Sequence, residues 1–386
     1  MGQSLTEIAQ SLIDANKKVQ LIYAFNGTGK TRLSRKFRLL VAPKDVEGEE
    51  ETEEETGIKV LYYNAFTEDL FYWDNDLDAD LNRKLIIRPN GFTNMVLEFL
   101  KDQGLDGNII SNFQHYTSDK LTPRFNEQYT AKDEEDRDII IKAYSEITFS
   151  IEGGNDESIE NIKISKAEES NLIWCVFYSL LEQVVEVLNV PELENRATNQ
   201  FDELKYVFID DPVSSLDDNH LIELAVNLAE LIKRSNGLKF VVSTHNPLFY
   251  NVLFNEIGNK ACYMLNKLED GTFELIEKNG DSNKSFSYHL FLKQTIEEAI
   301  NTNTIQKYHF TLLRNLYEKT ANFLGYPRWS ELLPDDKQIY FNRVIQFTSH
   351  STLSNEAVPD PTDPEKQTVK FLFEHLTTNF NYWQEV

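Results

Sequence analysis

Apolar runs separated by polar loops recur through the first three quarters of the chain. Residues 19–23, 206–209 and 239–244 have the apolar character of strands that are buried on both faces, which is typical of a parallel sheet. Stretches with a helical period lie between them, including a basic one that begins at Arg32. The pattern predicts an α/β domain over residues 1–285.

Alternating apolar and polar positions predict two β-hairpins in this domain. Residues 147–152 and 158–164 alternate around a Gly-Gly-Asn-Asp turn, and residues 262–267 and 273–278 flank an Asp-Gly turn. Residues 74–142 mix charged and apolar positions without a clear repeat. We interpret them as an inserted, mainly helical subdomain.

Strand signals end near residue 286. Helical periods separated by prolines follow, at residues 287–301, 308–323, 335–347 and 365–379. They predict a second, all-helical domain over residues 286–386.

The loop after the first strand carries the most specific chemical signal. Residues 24–31, AFNGTGKT, have the spacing G-x-x-x-x-G-K-[ST] of a phosphate-binding loop. In such a loop the backbone N–H groups surround the phosphates, Lys30 reaches the β- and γ-phosphate oxygens, and Thr31 holds Mg²⁺. Ala24 replaces the first glycine, which is tolerable if this position does not need a positive φ. The residues expected to contact nucleotide are Asn26, Gly27, Thr28, Gly29, Lys30 and Thr31.

Four later stretches resemble motifs of the ATP-binding-cassette (ABC) family and occur in that family's order. Residues 164–168 resemble the signature loop, 214–217 the D-loop and 243–246 the switch-histidine region. Asp210 and Asp211, at the end of an apolar strand, resemble the Walker B pair. The resemblance implies an ABC-type P-loop NTPase fold, Mg²⁺ at Thr31 and Asp210, and nucleotide contacts from Ser165, Ala167, Asp210, Asp211, Asp217 and His245.

Two departures from the ABC pattern affect the expected activity. Ala167 stands where the family usually has glycine, and Asp211 stands where it usually has glutamate. The aspartate side chain is one methylene shorter and must still reach the attacking water, so we expect slow turnover. There is also no obvious Q-loop glutamine. These features favour a timer or sensor over a transport pump.

Composition limits the partners of the whole molecule. The net charge is −25, so any nucleic-acid binding must rest on local features. The two cysteines, Cys175 and Cys262, lack Cys-x-x-Cys spacing, which argues against a zinc site and for a reducing cytoplasm. The longest apolar run, residues 173–181, is too short to cross a bilayer, so we expect no membrane partner and a cytoplasmic location.

Two groups of residues in the C-terminal domain are candidates for chemistry. Arg314 and Glu318 are four positions apart on a predicted helix and share a face, as the partners of a surface ion pair also would. His350 follows Arg343 by seven positions, and a lone histidine is more often structural than catalytic. Residues 286–386 carry nine Lys and Arg against twelve Asp and Glu, so the net charge of this domain does not distinguish a structural role from a catalytic one.

Nearly the full length of the chain resembles the anticodon nuclease family, in which an ABC-type NTPase is fused to a tRNA ribonuclease. The resemblance lies in the stretches YAFNGTGKTRLS (23–34), YYNAFTEDLFYWDND (62–76), YVFIDDPVSSLDDNH (206–220), DSNKSFSYH (281–289), RNLYEK (314–319) and FTSHSTLSNE (347–356).

This resemblance implies a function for each domain. The first would sense GTP or ATP with Mg²⁺, and dTTP as a regulatory nucleotide. The second would be a HEPN-like ribonuclease that cuts tRNA-Lys beside the wobble base without a metal ion. Arg314, Glu318 and His350 match the family's catalytic residues, and Asp281 matches a position that recognises the RNA. Arg343 and His350 also resemble the R-x₄₋₆-H motif of HEPN ribonucleases.

The resemblance also implies partners and a biological role. The partners would be tRNA-Lys, further copies of the chain in a homodimer or higher oligomer formed through the ABC-type domains, and a type I restriction-modification complex. That complex would keep the nuclease silent until phage infection. We therefore expect an NTP-gated toxin of bacterial antiviral defence.

Two alternative functions remain open from the residues. An ABC-type DNA-repair or chromosome-organising ATPase would have no nuclease activity, but those proteins carry long heptad arms that this chain lacks between its phosphate loop and signature loop. A nucleotide-dependent binding module, with the toxin in another subunit, is the second.

Overall fold

The structure is a computed structural model that describes residues 2–43, 58–64, 69–75, 81–89, 91–132, 136–152, 158–212, 218–268, 270–278, 288–349, 361–380 and 382. The chain divides into two compact units, Met1–Asn279 and Gly280–Val386. The sequence had suggested a boundary between residues 285 and 286.

The first unit alternates helices and strands. Up to residue 165 its elements are α1 (Leu5–Asp14), β1 (Val19–Tyr23), α2 (Lys30–Val41), β2 (Val60–Tyr63), β3 (Phe71–Asp74), β4 (Lys84–Ile87), α3 (Gly91–Asp102), α4 (Asp106–Tyr116), β5 (Leu121–Phe125), β6 (Tyr129–Lys132), β7 (Asp138–Ile141), β8 (Glu146–Glu152) and β9 (Ser158–Ile159). After residue 165 they are α5 (Lys166–Asn189), β10 (Tyr206–Asp210), α6 (Asp218–Arg234), β11 (Lys239–Thr244), α7 (Pro247–Glu256), β12 (Ala261–Lys267) and β13 (Phe273–Glu277).

The main sheet has the strand order β13-β12-β1-β11-β10-β2, in which only the β12–β13 pair is antiparallel. Every residue of β1 and β10 is buried, because both strands lie inside the sheet. Their apolar character comes from this position. The predicted strands at 19–23, 206–209 and 239–244 are confirmed.

Helices α1 and α2 cover one face of the main sheet. Phe37 of α2 contacts Phe208 of β10 with ring centroids 5.3 Å apart, in a core cluster that also contains residues of α1 such as Ile8. α2 therefore begins at the carboxyl end of β1, and its first turn lies at the edge where β10 and β11 also end.

A second sheet corrects one prediction. Residues 74–142 contain α3 and α4, but they also contain β4, β5, β6 and β7, so the expectation of a mainly helical subdomain is wrong. β8 pairs with both β4 and β5, in the order β3-β4-β8-β5, and β6 pairs with β7. The inserted strands have four or five residues each, too few to show a period. In addition, β4 and β5 form their hydrogen bonds with β8, which lies outside residues 74–142.

The two predicted hairpins have different outcomes. β12 and β13 pair as expected. β8 also pairs with β9, but β9 has only the two residues Ser158–Ile159 where a longer strand was expected. Ile162 N still donates to Phe149 O, and the chain then leads into α5.

Helix α5 is long and apolar enough to cross a membrane, although the uninterrupted apolar run inside it, residues 173–181, is too short to do so. In this fold, 67% of its most apolar window is buried. Trp174 contacts Tyr63 of β2 with centroids 5.2 Å apart, and Leu172 and Leu181 are fully buried. These contacts are typical of the core helix of a globular domain.

The described part of the second unit consists of helices and a short 3₁₀ turn at Trp329–Leu332. The helices are α8 (Tyr288–Asn301), α9 (Tyr308–Leu324), α10 (Lys337–Ser349) and α11 (Asp363–Asn379). Leu292, Leu313 and Leu372, from three of these helices, belong to one buried core. The buried hydroxyl of Tyr317 on α9 donates to Leu372 O on α11 at 2.8 Å.

Candidate nucleotide and nuclease sites

The phosphate loop, which joins β1 to α2, contains two glycines with a positive φ. Gly27 and Gly29 have φ values of 80° and 97°, in the left-handed region that favours glycine. Nothing lies within 4 Å of the position of a Cβ on Gly27. Ala24 is not among the residues with positive φ, so the missing first glycine causes no backbone strain.

The first turn of α2 suits an anion. Its N-cap residue is Gly29, which has no side chain to cap the helix. The first backbone N–H groups of a helix have no partner within it, and the helix dipole favours negative charge there. The loop geometry therefore fits a nucleotide phosphate.

Lys30 lies at the centre of this loop. Its side chain is 7% exposed, and Nζ donates to Ala24 O at 3.1 Å and to Phe25 O at 3.3 Å. The same Nζ is 3.6 Å from Asp211 Oδ2. The lysine charge is thus held between the loop and the end of β10, where it would meet the β- and γ-phosphates.

Asp210 joins the phosphate loop to the sheet. It is 2% exposed, and it accepts hydrogen bonds from Thr31 Oγ1 and Ser243 Oγ, both at 2.6 Å. Burial raises the pKa of Asp210 above its ordinary value, against these two hydrogen bonds. A carboxylate next to a hydroxyl, both oxygen donors, is the ligand type that Mg²⁺ prefers, so Thr31 and Asp210 fit this ion.

Asp211 has an unusual backbone and a set of polar partners. Its φ is 55°, and its N–H donates to Ser243 O at 2.8 Å. Oδ2 lies 2.5 Å from His245 Nδ1, and Oδ1 accepts from Thr244 Oγ1 at 3.1 Å. Burial acts to raise the pKa of Asp211, but the hydrogen bond from His245 and the charge of Lys30 outweigh it and lower the pKa. The ionised carboxylate can orient a water or accept its proton.

Ser243 and Thr244 also belong to the site, although the motif in this stretch predicted only His245. Asp210 lies opposite Ser243 in the register of β10 with β11, and Tyr23 lies opposite Thr244 in that of β1 with β11. β11 thus lies between the strand of the phosphate loop and the strand of the acidic pair. The available signal was two hydroxyl residues directly before His245 at the end of a buried strand.

The signature-loop residues cap a helix. Ser165 is the N-cap of α5: its Oγ accepts from Glu168 N at 3.3 Å, and its own N–H donates to Glu168 Oε2 at 2.7 Å. Ala167 lies in the first turn. These hydrogen bonds are local to α5. Asp217 of the D-loop lies outside the described residues.

Arg314 and Glu318 contact each other on α9 of the second unit. Arg314 Nε donates to Glu318 Oε1 at 2.8 Å, and the two side chains are 35% and 36% exposed. They share a face of the helix, as their spacing predicts. About a third of each side chain is exposed, so the pair is partly accessible from solvent.

A relative establishes the family of the chain. An anticodon nuclease of Escherichia coli is 61% identical over 406 aligned residues, which cover 100% of this chain and 99% of that protein. The chain belongs to the anticodon nuclease family. The AAA domain family also matches residues 151–378, a range that includes Asp210, Asp211 and His245. This anticodon nuclease therefore has an NTPase domain of the P-loop ABC type, and nucleotide and Mg²⁺ are its implied ligands.

Solved structures show weaker similarity. The head of an Smc protein bound to the C-winged helix domain of ScpA is 11% identical, with 70% of this chain and 91% of that chain covered at a TM-score of 0.31. The ADP form of an ATP-binding cassette from an ABC transporter is 13% identical, with 69% and 82% covered at a TM-score of 0.27. The chain spans 30% of the Smc head with coiled coil from Pyrococcus yayanosii, at a TM-score of 0.28.

The side chains of three candidate nuclease residues are outside the part of the chain that the structure describes. His350 and Asp281 lie outside the described residues. The backbone of Arg343 lies in α10, and its side chain is not described. Arg314 and Glu318 are thus the part of the expected nuclease site that the structure describes.

Proposed function

We propose that this anticodon nuclease cuts tRNA-Lys beside the wobble base with Arg314, Glu318 and His350, under the control of nucleotide bound to the first unit. The observation that carries the proposal is the ion pair between Arg314 and Glu318. It joins an arginine and a carboxylate at 2.8 Å on a solvent-accessible helix face, in a chain of the anticodon nuclease family.

The reaction needs no group beyond the RNA and the protein. The 2′-oxygen forms a bond to the phosphorus, and the bond from phosphorus to the 5′-oxygen breaks. A base takes the proton of the 2′-hydroxyl, and an acid gives a proton to the departing 5′-oxygen. The products carry a 2′,3′-cyclic phosphate and a 5′-hydroxyl, respectively.

Each residue type suits a part of this reaction. The planar guanidinium of Arg314 offers parallel N–H donors to the phosphate oxygens, whose negative charge grows in the transition state. His350 can act as base or acid because an ordinary histidine titrates near neutral pH. Glu318 orients Arg314 through their hydrogen bond and can carry a proton itself. In this proposal the second unit is a HEPN-like domain, Arg343 joins His350, and Asp281 helps to recognise the RNA.

The first unit supplies the control. Lys30, Thr31 and Asp210 would bind GTP or ATP with Mg²⁺, which offsets the charge of the phosphates, and dTTP would act as a regulatory nucleotide. The ABC-type units would associate as a dimer or higher oligomer in the cytoplasm. A type I restriction-modification complex would hold the nuclease silent, and phage infection would release it as an antiviral toxin.

The test is to sequence the RNA ends that purified protein produces from tRNA-Lys, with and without GTP. We expect a cut beside the wobble base, a 5′-hydroxyl end and activity in EDTA once the nuclease is active. Arg314→Ala and His350→Ala should lose about 10²-fold or more of the cleavage rate and keep nucleotide hydrolysis.

A matched control exists on α11. Lys370 and Glu374 have the same i, i+4 spacing, with Lys370 Nζ 4.0 Å from Glu374 Oε1. Lys370→Ala should cut like the parent. If Arg314→Ala also cuts like the parent, the site assignment is wrong. Tight binding of duplex DNA with RNA left intact would favour the chromosome-organising ATPase instead.

A further inference from the structure

A cleft opens beside Glu318 in the second unit. Its volume is about 340 Å³. It lies among the end of α9, the 3₁₀ turn and α10, and it is lined by Glu318, Asn322, Pro327, Arg328, Trp329, Ser330 and Phe341. Glu318, which forms the ion pair with Arg314 on α9, therefore also lines this cleft.

The cleft has a firm aromatic wall. Trp329 stacks on Phe341, with ring centroids 5.2 Å apart and planes at 21°. Tyr317 meets Trp329 edge-on, with centroids 6.2 Å apart, and is itself fixed by burial and by its hydrogen bond to Leu372 O. Trp329 and Phe341 are only partly buried. Their rings are therefore held in place by neighbouring rings and still present surface to the cleft.

Polar groups of the type that contacts nucleic acid lie around this wall. Arg328 precedes Trp329, is exposed, and makes no ion pair with the residues that the structure describes. Asn322 and Ser330 add an amide and a hydroxyl. Because residues 286–386 are acidic overall, a local cation next to an aromatic ring is the kind of feature that RNA binding would need here.

We propose that this cleft receives one nucleobase of the RNA substrate, adjacent to the phosphate that is cut. The base stacks on Trp329, and Arg328 contacts a neighbouring backbone phosphate. Single-stranded RNA loops are recognised by splayed bases that stack on aromatic side chains and hydrogen-bond at their edges, and this cleft offers both kinds of contact. The inference rests on the proposed function, because it takes Glu318 as part of the cleavage site.

The test uses the full-length protein and tRNA-Lys anticodon stem-loops that differ at one position. In one RNA all bases are present, and in the others a single nucleotide next to the cut is abasic. A stacked base contributes about 1–3 kcal/mol, so Trp329→Ala should lower kcat/KM on the intact RNA by about 5- to 150-fold. One abasic RNA should show a similar loss with the parent protein, and Trp329→Ala should lose little more on that RNA.

Three variants separate this role from a general loss of folding. Trp329→Phe keeps a stacking ring and should restore most of the activity. Phe323, which is 90% exposed on α9 and does not line the cleft, gives a control, and Phe323→Ala should cut like the parent. Arg328→Ala should reduce the salt dependence of binding by about 0.7 in the slope of log K against log salt, the value for one phosphate of a single strand.

Distinct outcomes overturn the inference and the proposed function. If Trp329→Ala is equally harmful on the intact and on every abasic RNA, the cleft does not hold a base. If Trp329→Ala and Arg328→Ala both cut like the parent, this inference fails while the proposed cleavage stands. If the parent protein leaves the anticodon loop intact, the proposed function fails and this inference fails with it.

Discussion

Replacing Ser165 separates two roles that one hydroxyl group could have. In the structure Ser165 Oγ accepts the N–H of Glu168 and caps α5. By the ABC resemblance, the same hydroxyl would meet the γ-phosphate bound to a second subunit. A variant that removes both roles and a variant that keeps only the cap therefore give different results.

The expected sizes follow from the hydrogen bonds. Ser165→Ala loses the cap, which costs about 1 kcal/mol of unfolding free energy, or roughly 2 °C in the midpoint of a unit of this size. A hydrogen bond to a charged phosphate contributes about 1.5–3 kcal/mol, so hydrolysis should fall by about 10- to 150-fold. Ser165→Asp caps the helix as well as serine does but repels the phosphate. It should keep the stability and lose the hydrolysis.

The assay combines thermal unfolding without nucleotide and steady-state hydrolysis at several protein concentrations. Ser4 gives a matched control, because it caps α1 in the same way: Glu7 N donates to Ser4 Oγ at 3.2 Å, and Ser4 N donates to Glu7 Oε2 at 2.7 Å. Ser4→Ala should lose similar stability and keep hydrolysis. If Ser165→Asp hydrolyses nucleotide at the parent rate, Ser165 is a helix cap and has no role at the phosphate.

Three further results are expected. Lys30→Ala should abolish the response of tRNA cleavage to nucleotide without changing the cleavage chemistry, and a variant whose cutting and nucleotide response both match the parent would refute this division of labour. Asp210→Asn should lose Mg²⁺-dependent hydrolysis and gain thermal stability without ligands, because burial raises the pKa of Asp210 and so disfavours its charged form. That gain should be complete above the folded pKa of Asp210, shrink as the pH falls below it and be absent below the ordinary pKa of an aspartate, and a gain that grows on acidification would contradict the assignment. Tyr317→Phe should cost about 1 kcal/mol through the lost bond to Leu372 O, measured as a lower unfolding midpoint of the second unit with unchanged nucleotide hydrolysis. An unchanged midpoint would show that this bond does not stabilise the unit.

The buried strands of the main sheet could be predicted from the sequence, and the short strands of the second sheet could not. β1 and β11 have the predicted bounds because burial on both faces imposes a continuous apolar run. In β6 and β7 almost every residue is exposed, so no face is selected for apolar side chains and no period appears. These strands exist through their pairing with each other, which a local pattern does not contain.

The same distinction applies to the nucleotide site. Motif spacing identified Thr31 and Asp210, although 179 positions separate them, because Thr31 ends the phosphate-loop motif and Asp210 begins the Walker B pair. The role of Ser243 depends on the strand order, since it faces Asp210 only because β11 is the neighbour of β10. In the second unit, the ion pair on α9 followed from helical spacing, whereas the cleft beside it depends on how the turn after α9 packs against α10.

The left-handed backbone at Asp211 suits the aspartate that stands where the ABC family usually has glutamate. Aspartate and asparagine adopt positive φ more readily than longer side chains, because the short side chain avoids the steric conflict and can hydrogen-bond locally. The bond from Asp211 N to Ser243 O supports this conformation, in which a short side chain is favoured. A glutamate placed here would meet a backbone conformation that longer side chains adopt less readily. Slow hydrolysis, if measured as expected, would then be tied to the junction between β10 and β11, and faster turnover would require that junction to be rebuilt.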